Sequence, residues 1–349
     1  MKHCAYYLPL LLLFLGSCSS VNKRNPLNLF RDSQNLYHET LPSNEYVLGI
    51  TGQIVDIGNF LAILSQNKGH ALAIYDKARK TYLHPIAPIG QGPDEFSRII
   101  NLQCADSTRL YVHDSNRKEF VDYQITTDED SLKSKKEVLF SWQPASFRAI
   151  KIANYFIRLC VIEEGMFALS NSKGIELGLF EKYPPPGEND TEYPAYIRST
   201  SYQGYLAVHP KDSLFAFVPI SAPIVQVFRV SENKIRKYSE SFLDYAHPTI
   251  KKDDRGGLRS AHGDNPLIYL SVVGTRDYIY VLYSGRTLKE YKGNAFYGRD
   301  VLVFDWNCNP VKRYVLDVDV SCIEVSPDNT TLWAAAENPD PELVKFQME

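Results

Sequence analysis

The feature that most constrains the fold is a repeat of short strand-like segments. Apolar and polar residues alternate in runs of about five to eight residues, and alternation with period two is typical of half-buried β-strands. The runs recur in groups with a period of about 45 to 50 residues, as in Gln53 to Ile86 and Ile99 to Trp142. No segment keeps the 3.6-residue apolar spacing that a helix of several turns requires. The chain is therefore predicted to be all-β.

Most groups contain four strand-like runs, and the last contains three. Four-stranded units of this length, joined in a circle, are typical of a β-propeller, whose neighbouring blades bury one another's faces. We predict a six-bladed propeller of four-stranded antiparallel blades over residues 35–349. The segment near Leu36 to Leu41 supplies the missing strand, so that strands from both ends of the chain close the ring. The remaining predicted units are Phe147 to Tyr183, Tyr205 to Phe242, Leu267 to Leu316 and Val320 to Gln347.

The first residues predict export and a lipid anchor. Lys2 precedes an apolar run from Ala5 to Leu15, which is followed by Gly16, Ser17 and Cys18. The run is about half of the roughly 20 residues that a spanning helix needs. An ordinary secretory signal ends in a small-x-small site, whereas Leu-Gly-Ser-Cys resembles a lipobox, in which the cysteine thiol is diacylated. We predict a lipoprotein signal peptide over residues 1–17, lipidation of Cys18 and a tether over residues 18–34.

This anchor predicts an address in the cell envelope. Ser19 follows Cys18, and no aspartate stands there to suggest retention in the inner membrane. We therefore expect an outer-membrane lipoprotein on the periplasmic face. Display on the cell surface is the second alternative, because no acidic cluster of the type linked to surface export follows Cys18. The lipid anchor is the only predicted contact with a membrane.

Composition narrows the possible partners and the cysteine chemistry. The chain has 44% hydrophobic and 23% charged residues with a net charge of −3, which fits a globular protein. Nucleic acid is not expected as a partner, because neutralising phosphates requires clustered Lys and Arg. The spacings of the four later cysteines fit no zinc pattern. Although an oxidising compartment permits disulfides, we expect free thiols at Cys104, Cys160, Cys308 and Cys322.

Three short motifs carry a family resemblance. GQGPDEF at Gly90 to Phe96, YVLYSG at Tyr280 to Gly285 and VFDWNCNPV at Val303 to Val311 resemble the bacterial TolB-like six-bladed β-propeller lipoproteins. The likeness covers nearly the whole mature chain. Asp94 and Cys308 stand where such proteins often have glycine, which puts the local turns there in doubt. The resemblance implies a fold and an address but no settled activity.

The longest connections predict a binding face. In a propeller, the connection between successive blades and the one between a blade's second and third strands lie on the same face, and the long loops here are mostly of those two kinds. Arginine and tyrosine side chains, which recognition surfaces favour, are frequent in them. The alternative is that these polar loops only cover the channel mouth. The predicted ligand-binding residues are Arg198, Tyr202, Arg255, Arg259, His262, Arg286, Tyr297 and Arg299.

Individual motifs suggest little chemistry. Gly90 to Phe96 lacks the Lys-Ser/Thr of a P-loop, so we interpret it as a structural turn with Phe96 between blades. Asp94 and Glu95 are the only acidic residues clustered there that could reach a channel cation such as calcium. His262 with Asp264 could form a base and its orienting carboxylate, but no third group is evident. No catalytic residue, metal ligand or cofactor is therefore assigned.

Two function classes remain. The preferred one is a non-catalytic binding or interaction module, anchored in the periplasm, that takes a glycan, a peptide or a protein on its loop-rich face. The alternative is a metal-dependent, lactonase-like hydrolase or lyase with a divalent cation in the central channel. Fold analogy does not decide between them, because function resides in sites and not in folds. The binding module is preferred since no catalytic site is legible in the sequence.

Overall fold

A computed structural model describes residues 24–43, 46–67, 69–128, 131–143, 146–162, 164–188, 193–252, 256–261, 265–337 and 340–348. The strands are grouped into blades of four, numbered in chain order. Blade 1 contains β3 (Thr51–Ile57), β4 (Phe60–Asn67) and β5 (His70–Asp76), with β6 (Thr81–Tyr82) and β7 (Ile86–Pro88) sharing the outer position. Blade 2 contains β8 (Ile99–Asp106), β9 (Arg109–Asp114), β10 (Glu119–Asp128) and β11 (Ser131–Ser141). Blade 3 contains β12 (Ser146–Ile152), β13 (Tyr155–Cys160), β14 (Phe167–Ser170) and β15 (Glu176–Phe180).

The second half of the chain forms the other blades. Blade 4 contains β16 (Gly204–Val208), β17 (Leu214–Pro219), β18 (Ile224–Ser231) and β19 (Lys234–Phe242). Blade 5 contains β22 (Pro266–Gly274), β23 (Tyr278–Thr287), β24 (Gly298–Asp305) and the first part of β25 (Pro310–Val325). Blade 6 contains the rest of β25, β26 (Thr331–Glu337), β27 (Pro341–Gln347) and β2 (His38–Thr40). Outside the blades lie β1 (Gln34–Leu36), the hairpin of β20 (Thr249–Lys252) and β21 (Leu258–Ala261), α1 (Ala195–Ser201), α2 (Leu288–Tyr291) and 3-10 helices at Pro26–Leu29 and Lys292–Phe296.

Polar side chains on the inner strands join neighbouring blades. The Gln53 side chain donates to the carbonyl oxygen of Leu102 at 2.8 Å and accepts its N–H at 2.9 Å. Gln103 makes the same pair of bonds with the backbone of Lys151, at 2.7 and 2.8 Å. The Ser321 hydroxyl donates to Thr51 O at 3.2 Å and so joins blade 6 to blade 1. These bonds satisfy buried backbone groups of strands that face the channel.

The hydrophobic core is divided among the blade interfaces. Each pair of neighbouring blades shares its own cluster of buried side chains, as expected where each sheet buries its faces against the next. The cluster between blades 2 and 3 is small and largely aromatic, and Phe120, Phe156 and Trp142 lie in it. Residues that mark the other interfaces are Phe96 (blades 1 and 2), Phe167 (3 and 4), Trp306 (4 and 5), Leu282 (5 and 6) and Trp333 (6 and 1).

The predicted architecture is confirmed, including the closure of the ring. β2 pairs antiparallel with β27 and supplies the outer strand of blade 6. Two features were not predicted. One uninterrupted strand, β25, serves as the outer strand of blade 5 and then as the inner strand of blade 6. In addition, β1 pairs parallel with β25, so that the N-terminal segment contacts two blades.

The folded part begins earlier than the sequence analysis predicts. The Asn25 side chain accepts a hydrogen bond from Leu27 N at 3.0 Å and caps the first 3-10 helix. Phe30 is buried and packs edge-on against Phe304, with 5.4 Å between ring centroids. The predicted tether over residues 18–34 is corrected accordingly, because its second half packs on the propeller. Cys18 and the signal peptide lie outside the described residues.

The order of the strands defines two faces. Each inner strand begins at the face where the connections between blades lie, which we call the loop-rich face, and ends at the opposite face. The connections 89–98, 181–203, 243–265 and 288–297 all belong to the loop-rich face, as predicted. The helices in these connections are short. Within the described ranges, none of the helices has the length and apolar character needed to cross a bilayer.

Candidate functional site

A charged cluster lies on the loop-rich face of blade 5. Arg286 near the end of β23 and Arg299 near the start of β24 both donate to the same Asp319 oxygen, at 2.9 and 2.7 Å. Partial burial acts to raise the pKa of the Asp319 carboxyl, but the hydrogen bonds from the two arginines outweigh it, so that the pKa lies below its usual value. Two arginines share one carboxylate, which leaves the cluster with a net positive charge.

The connection 288–297 presents aromatic side chains beside this cluster. Tyr291 is 49% exposed and Phe296 is 53% exposed. The connection is held in place at its base, because Ser284 Oγ donates to Ala295 O at 2.8 Å and Arg286 donates to Asn294 O at 3.1 Å. The Arg286 guanidinium also lies 5.5 Å from the centroid of the Tyr291 ring. Cationic and aromatic groups therefore form one ordered patch.

Tyr297 is tied to the neighbouring blade. Its side chain is half-buried, and its hydroxyl lies near the Glu337 carboxylate at the end of β26. Burial raises the pKa of Tyr297, and the adjacent Glu337 carboxylate acts in the same direction. The hydroxyl is therefore neutral at physiological pH and is used to hold blade 5 against blade 6.

The other predicted residues are not all at the surface. Arg259 is exposed on β21, directly across from Lys251, and Arg198 is half-buried in α1. The prediction for Tyr202 is corrected, because its side chain is fully buried. Its hydroxyl donates to Pro185 O at 2.7 Å and accepts Ala246 N at 3.3 Å, so that it fastens two loops together. Arg255, His262 and Asp264 lie outside the described residues.

The GQGPDEF segment forms a closed structural turn. The Glu95 carboxylate accepts the N–H of Gly92 at 2.6 Å within the same turn. Arg117 donates to Gly90 O at 3.1 Å and to Gly92 O at 2.8 Å. Phe96 is fully buried between blades 1 and 2, which supports the structural interpretation. No group of three or more His, Cys, Asp or Glu side chains arranged to hold a metal ion occurs among the residues with described positions.

A cavity of about 810 Å³ opens at the other end of the molecule. It occupies the half of the central channel where the inner strands end, and it therefore lies opposite the loop-rich face. Its volume falls within the range of small-molecule sites, which is roughly 300 to 1,000 Å³. Side chains able to form hydrogen bonds or carry charge line it: Gln53, Asp56, Asn101, Gln103, Cys104, Tyr111, Lys151, His209, Lys211, Asp212, Ser213, Thr275, Arg276 and Glu324.

The carboxyl groups of this cavity differ in their surroundings. Asp56 forms an ion pair with Lys77 at 2.8 Å. Burial and the neighbouring Asp56 charge raise the pKa of Glu324 well above its usual value. On the far wall, Lys151 Nζ donates to Ala153 O at 3.1 Å and lies 5.1 Å from the Tyr111 ring centroid. Asp212, the third carboxyl group of the wall, is 63% exposed and lies 3.6 Å from His209 Nε2.

The four described cysteines are free, and they differ in exposure. None of the four forms a disulfide. Cys160, Cys308 and Cys322 are buried, whereas Cys104 is exposed to the channel cavity. Although Cys104 is exposed, partial desolvation of its thiol within the cavity and the nearby Glu324 raise its pKa to about 11, so that it is protonated at neutral pH. Cys104 is therefore a poor nucleophile there, since the thiolate is the reactive form.

The two histidines at strand ends differ. His209 Nε2 bonds with Arg276 O at 2.9 Å, and its Nδ1 accepts the N–H groups of Lys211 and Asp212. In His113, by contrast, neither ring nitrogen has a partner among the described residues. Its ring lies 5.2 Å from that of Trp142 between blades 2 and 3.

Comparisons with known proteins agree with this architecture. A family model described as TolB-like 6-blade propeller-like matches residues 48–328. A solved structure from Bacteroides fragilis, of what is termed a "putative exported protein", is similar with a TM-score of 0.55 at 13% identity, over 90% of this chain and 95% of that one. The WD40 repeats of RRP9 give a TM-score of 0.49 at 11% identity, over 89% of this chain and 97% of theirs. No curated protein matches the sequence. At 13% identity, the likeness to the Bacteroides fragilis protein concerns the fold alone.

Proposed function

Because the chain belongs to the TolB-like 6-blade propeller-like family, which implies no settled activity, we propose a function from its surface: it is a lipid-anchored periplasmic module that binds a protein partner through its loop-rich face. The observation that carries the proposal is the patch formed by Arg286, Arg299, Tyr291 and Phe296. Exposed aromatic residues beside arginines are typical of protein interfaces, where they contribute much of the binding energy.

A protein is favoured over a glycan or a peptide by the shape of the patch. Tyr291 and Phe296 project from a connection between two strands, whereas the cavity lies at the other end of the channel. Small ligands usually bind in concave sites. A projecting pair of aromatic side chains suits insertion into a partner's pocket instead.

The envelope address rests on the N-terminus and on one similar protein. The signal-like residues 1–17 and the lipobox-like Leu15-Gly16-Ser17-Cys18 support export and lipidation. The Bacteroides fragilis protein of similar fold is termed exported, which is consistent with such an address. In the Cys18→Ser variant, we expect the protein to leave the membrane fraction and to lose incorporation of labelled fatty acid. Retention of both would contradict the lipid anchor.

Site-specific photocrosslinking in intact cells tests the partner site. A photoreactive phenylalanine analogue at position 296 should give a discrete adduct, whereas the same analogue at Ile175, 59% exposed on the opposite face, should give none. The double change Arg286→Ala and Arg299→Ala should reduce the adduct at least tenfold. Arg229→Ala, which removes an exposed arginine from β18 on the outer part of blade 4, is the matched control and should leave it unchanged. Equal adducts at both positions, or no effect of the double change, would refute the proposal.

The enzymatic alternative remains a separate prediction. A divalent cation in the channel would need several oxygen ligands, and Asp56, Asp212 and Glu324 are the carboxyl groups that line the cavity. Asp212 lies 3.6 Å from His209 Nε2. Asp56 is already paired with Lys77, and a Glu324 carboxyl with a raised pKa is a weaker cation ligand. A rise in Tm with calcium that EDTA reverses would favour this alternative over the binding module.

A further inference from the structure

An arginine without a partner lies at the centre of the propeller. Arg148 belongs to β12 and Tyr205 to β16, the inner strands of blades 3 and 4. The Arg148 guanidinium carbon lies 4.8 Å from the centroid of the Tyr205 ring. Within the described part of the chain, no hydrogen bond or ion pair reaches either the guanidinium or the Tyr205 hydroxyl. The guanidinium lies over the Tyr205 ring, and its N–H donors are unused within the described residues.

The electrostatic surroundings of Arg148 contain no compensating carboxylate among the described residues. Burial lowers the pKa of Arg148, and the positive charge of Arg98 acts in the same direction. Removing a charge from water without pairing it is costly. Charged groups withdrawn from water are usually paired or bind an ion, and the half-buried, unpaired guanidinium of Arg148 points to an anion supplied from outside the chain.

The pair lies next to the channel cavity. Inner strands run from the loop-rich face toward the opposite face, and the first cavity-lining residues on β12 and β16 are Ile150 and Leu206. Arg148 precedes Ile150 by two positions, or about 6.6 Å along a strand, and Tyr205 directly precedes Leu206. An arginine side chain spans such a distance. Arg148 and Tyr205 thus lie just beyond the inner end of the cavity of about 810 Å³.

We propose that the central channel binds a small anionic molecule, bearing a carboxylate or a phosphate group, whose charged end is held by Arg148 against Tyr205. The planar guanidinium donates two parallel hydrogen bonds to either group. Tyr205 supplies a further hydroxyl donor, and Lys151 supplies a cation farther along the same cavity. This site is separate from the protein-binding patch, so it stands or falls independently of the proposed function.

The test measures the Tm of the full-length protein in detergent with sodium phosphate, sodium succinate or sodium chloride at equal ionic strength. We expect phosphate or succinate to raise the Tm saturably over chloride, by about 3 °C at a hundredfold excess over Kd. The anion that acts identifies the ligand as phosphate-bearing or carboxylate-bearing. Equal Tm values in all three salts would overturn the proposal and leave a channel that holds only water.

Variants then assign the effect to Arg148. Arg148→Gln should abolish the anion-dependent shift, because it removes the guanidinium that holds the anion. Arg148→Lys should keep part of the shift, and it guards against misfolding of the first variant. The matched control is Arg229→Gln, which removes an exposed arginine stacked 4.7 Å from the Tyr238 ring centroid and should keep the full shift. An unchanged Tm shift in Arg148→Gln would refute the anion site. Loss of the crosslink at position 296 alone would leave the anion site unaffected.

Discussion

The protonation state of His113 is determined by its surroundings in the fold and not by the usual pKa of histidine. His113 is only 1% exposed, and both ring nitrogens lack partners in the described structure. Burial lowers the pKa of His113 to about 3, with Arg148 and Arg158 adding to the effect. The ring is therefore neutral at neutral pH. Nearby, the buried Arg158 reaches Glu176 through one nitrogen and leaves its Nε and Nη1 without a described partner.

This histidine predicts acid sensitivity. In the unfolded chain His113 regains a pKa near 6.5, so below that pH the unfolded state binds a proton that the folded state does not. Stability should then fall as the pH drops from 6.5 toward 3, by up to about 1.4 kcal/mol per pH unit from this residue. His113→Phe should reduce the loss of unfolding free energy between pH 6.5 and pH 5 by about 2 kcal/mol. Urea denaturation at both pH values measures it.

A matched control separates His113 from the other histidines. His84→Phe replaces an exposed histidine and should leave the pH dependence of the unfolding free energy unchanged. If His113→Phe and the original chain lost the same stability between the two pH values, the neutral state of His113 would be wrong.

The sequence indicated which residue types lie on the loop-rich face, but it did not indicate which of their side chains are exposed. Arg286 and Arg299 could be placed on one face because loop order follows from strand order. The sequence alone could not exclude Tyr202 from the predicted binding residues, because its burial depends on contacts with Pro185 and with Ala246, which lie in other parts of the chain. The sequence did not indicate Arg148 as a candidate binding residue, for a related reason. The alternation Phe147-Arg148-Ala149-Ile150 indicates a strand, but it does not tell which side chains of an inner strand face the channel.

At the scale of elements, the closure of blade 6 was predictable and the N-terminal contacts were not. The last unit lacked one strand, so a strand from the other end was required. β1 is only three residues long and pairs in parallel with β25, which leaves no periodic signal in the sequence. The apolar residues Leu27, Leu29 and Phe30 were the available sign that the segment packs.

The N-terminal segment should contribute measurably to stability. Phe30 is 9% exposed and packs against Phe304 in the core between blades 4 and 5. Phe30→Ala should lower the unfolding free energy by about 3 kcal/mol, because it removes a buried aromatic ring and leaves a cavity. Urea denaturation monitored by tryptophan fluorescence measures the change.

The same segment contains a control of the same residue class. Tyr37 lies between β1 and β2 and is 73% exposed. Tyr37→Ala should change the unfolding free energy by no more than about 0.5 kcal/mol. Equal effects of the two substitutions would show that the segment is not anchored by Phe30.

At the scale of the molecule, a closed ring leaves its two ends for function. The faces of each blade are buried against the neighbouring blades. The surfaces formed by the connections between strands are therefore the two ends of the ring, which are the loop-rich face and the mouth of the cavity. The sequence predicted the first, because long loops stand out in a pattern of strands. It did not predict the second, because a channel is formed by residues from all blades that have no common spacing.

The position of the first described residues predicts how the loop-rich face and the cavity mouth would lie relative to a membrane. Arg24 forms an ion pair at 3.3 Å with Asp244, which belongs to the connection between blades 4 and 5 on the loop-rich face. Cys18 stands six positions earlier in the sequence, and an extended chain of that length reaches about 20 Å. A lipid on Cys18 would therefore hold the loop-rich face near the bilayer and turn the cavity mouth away from it.

Fluorescence quenching in lipid vesicles measures this orientation. A fluorophore attached to Phe296→Cys should be quenched by spin-labelled lipid at least twice as strongly as one attached to Ile175→Cys on the opposite face. Both labels require the Cys104→Ser background, since Cys104 is the exposed cysteine of the described chain. In the Cys18→Ser background the difference should vanish, because the tether no longer brings either face to the lipid. Stronger quenching at position 175 would reverse the orientation and place the cavity mouth, not the aromatic patch, against the membrane.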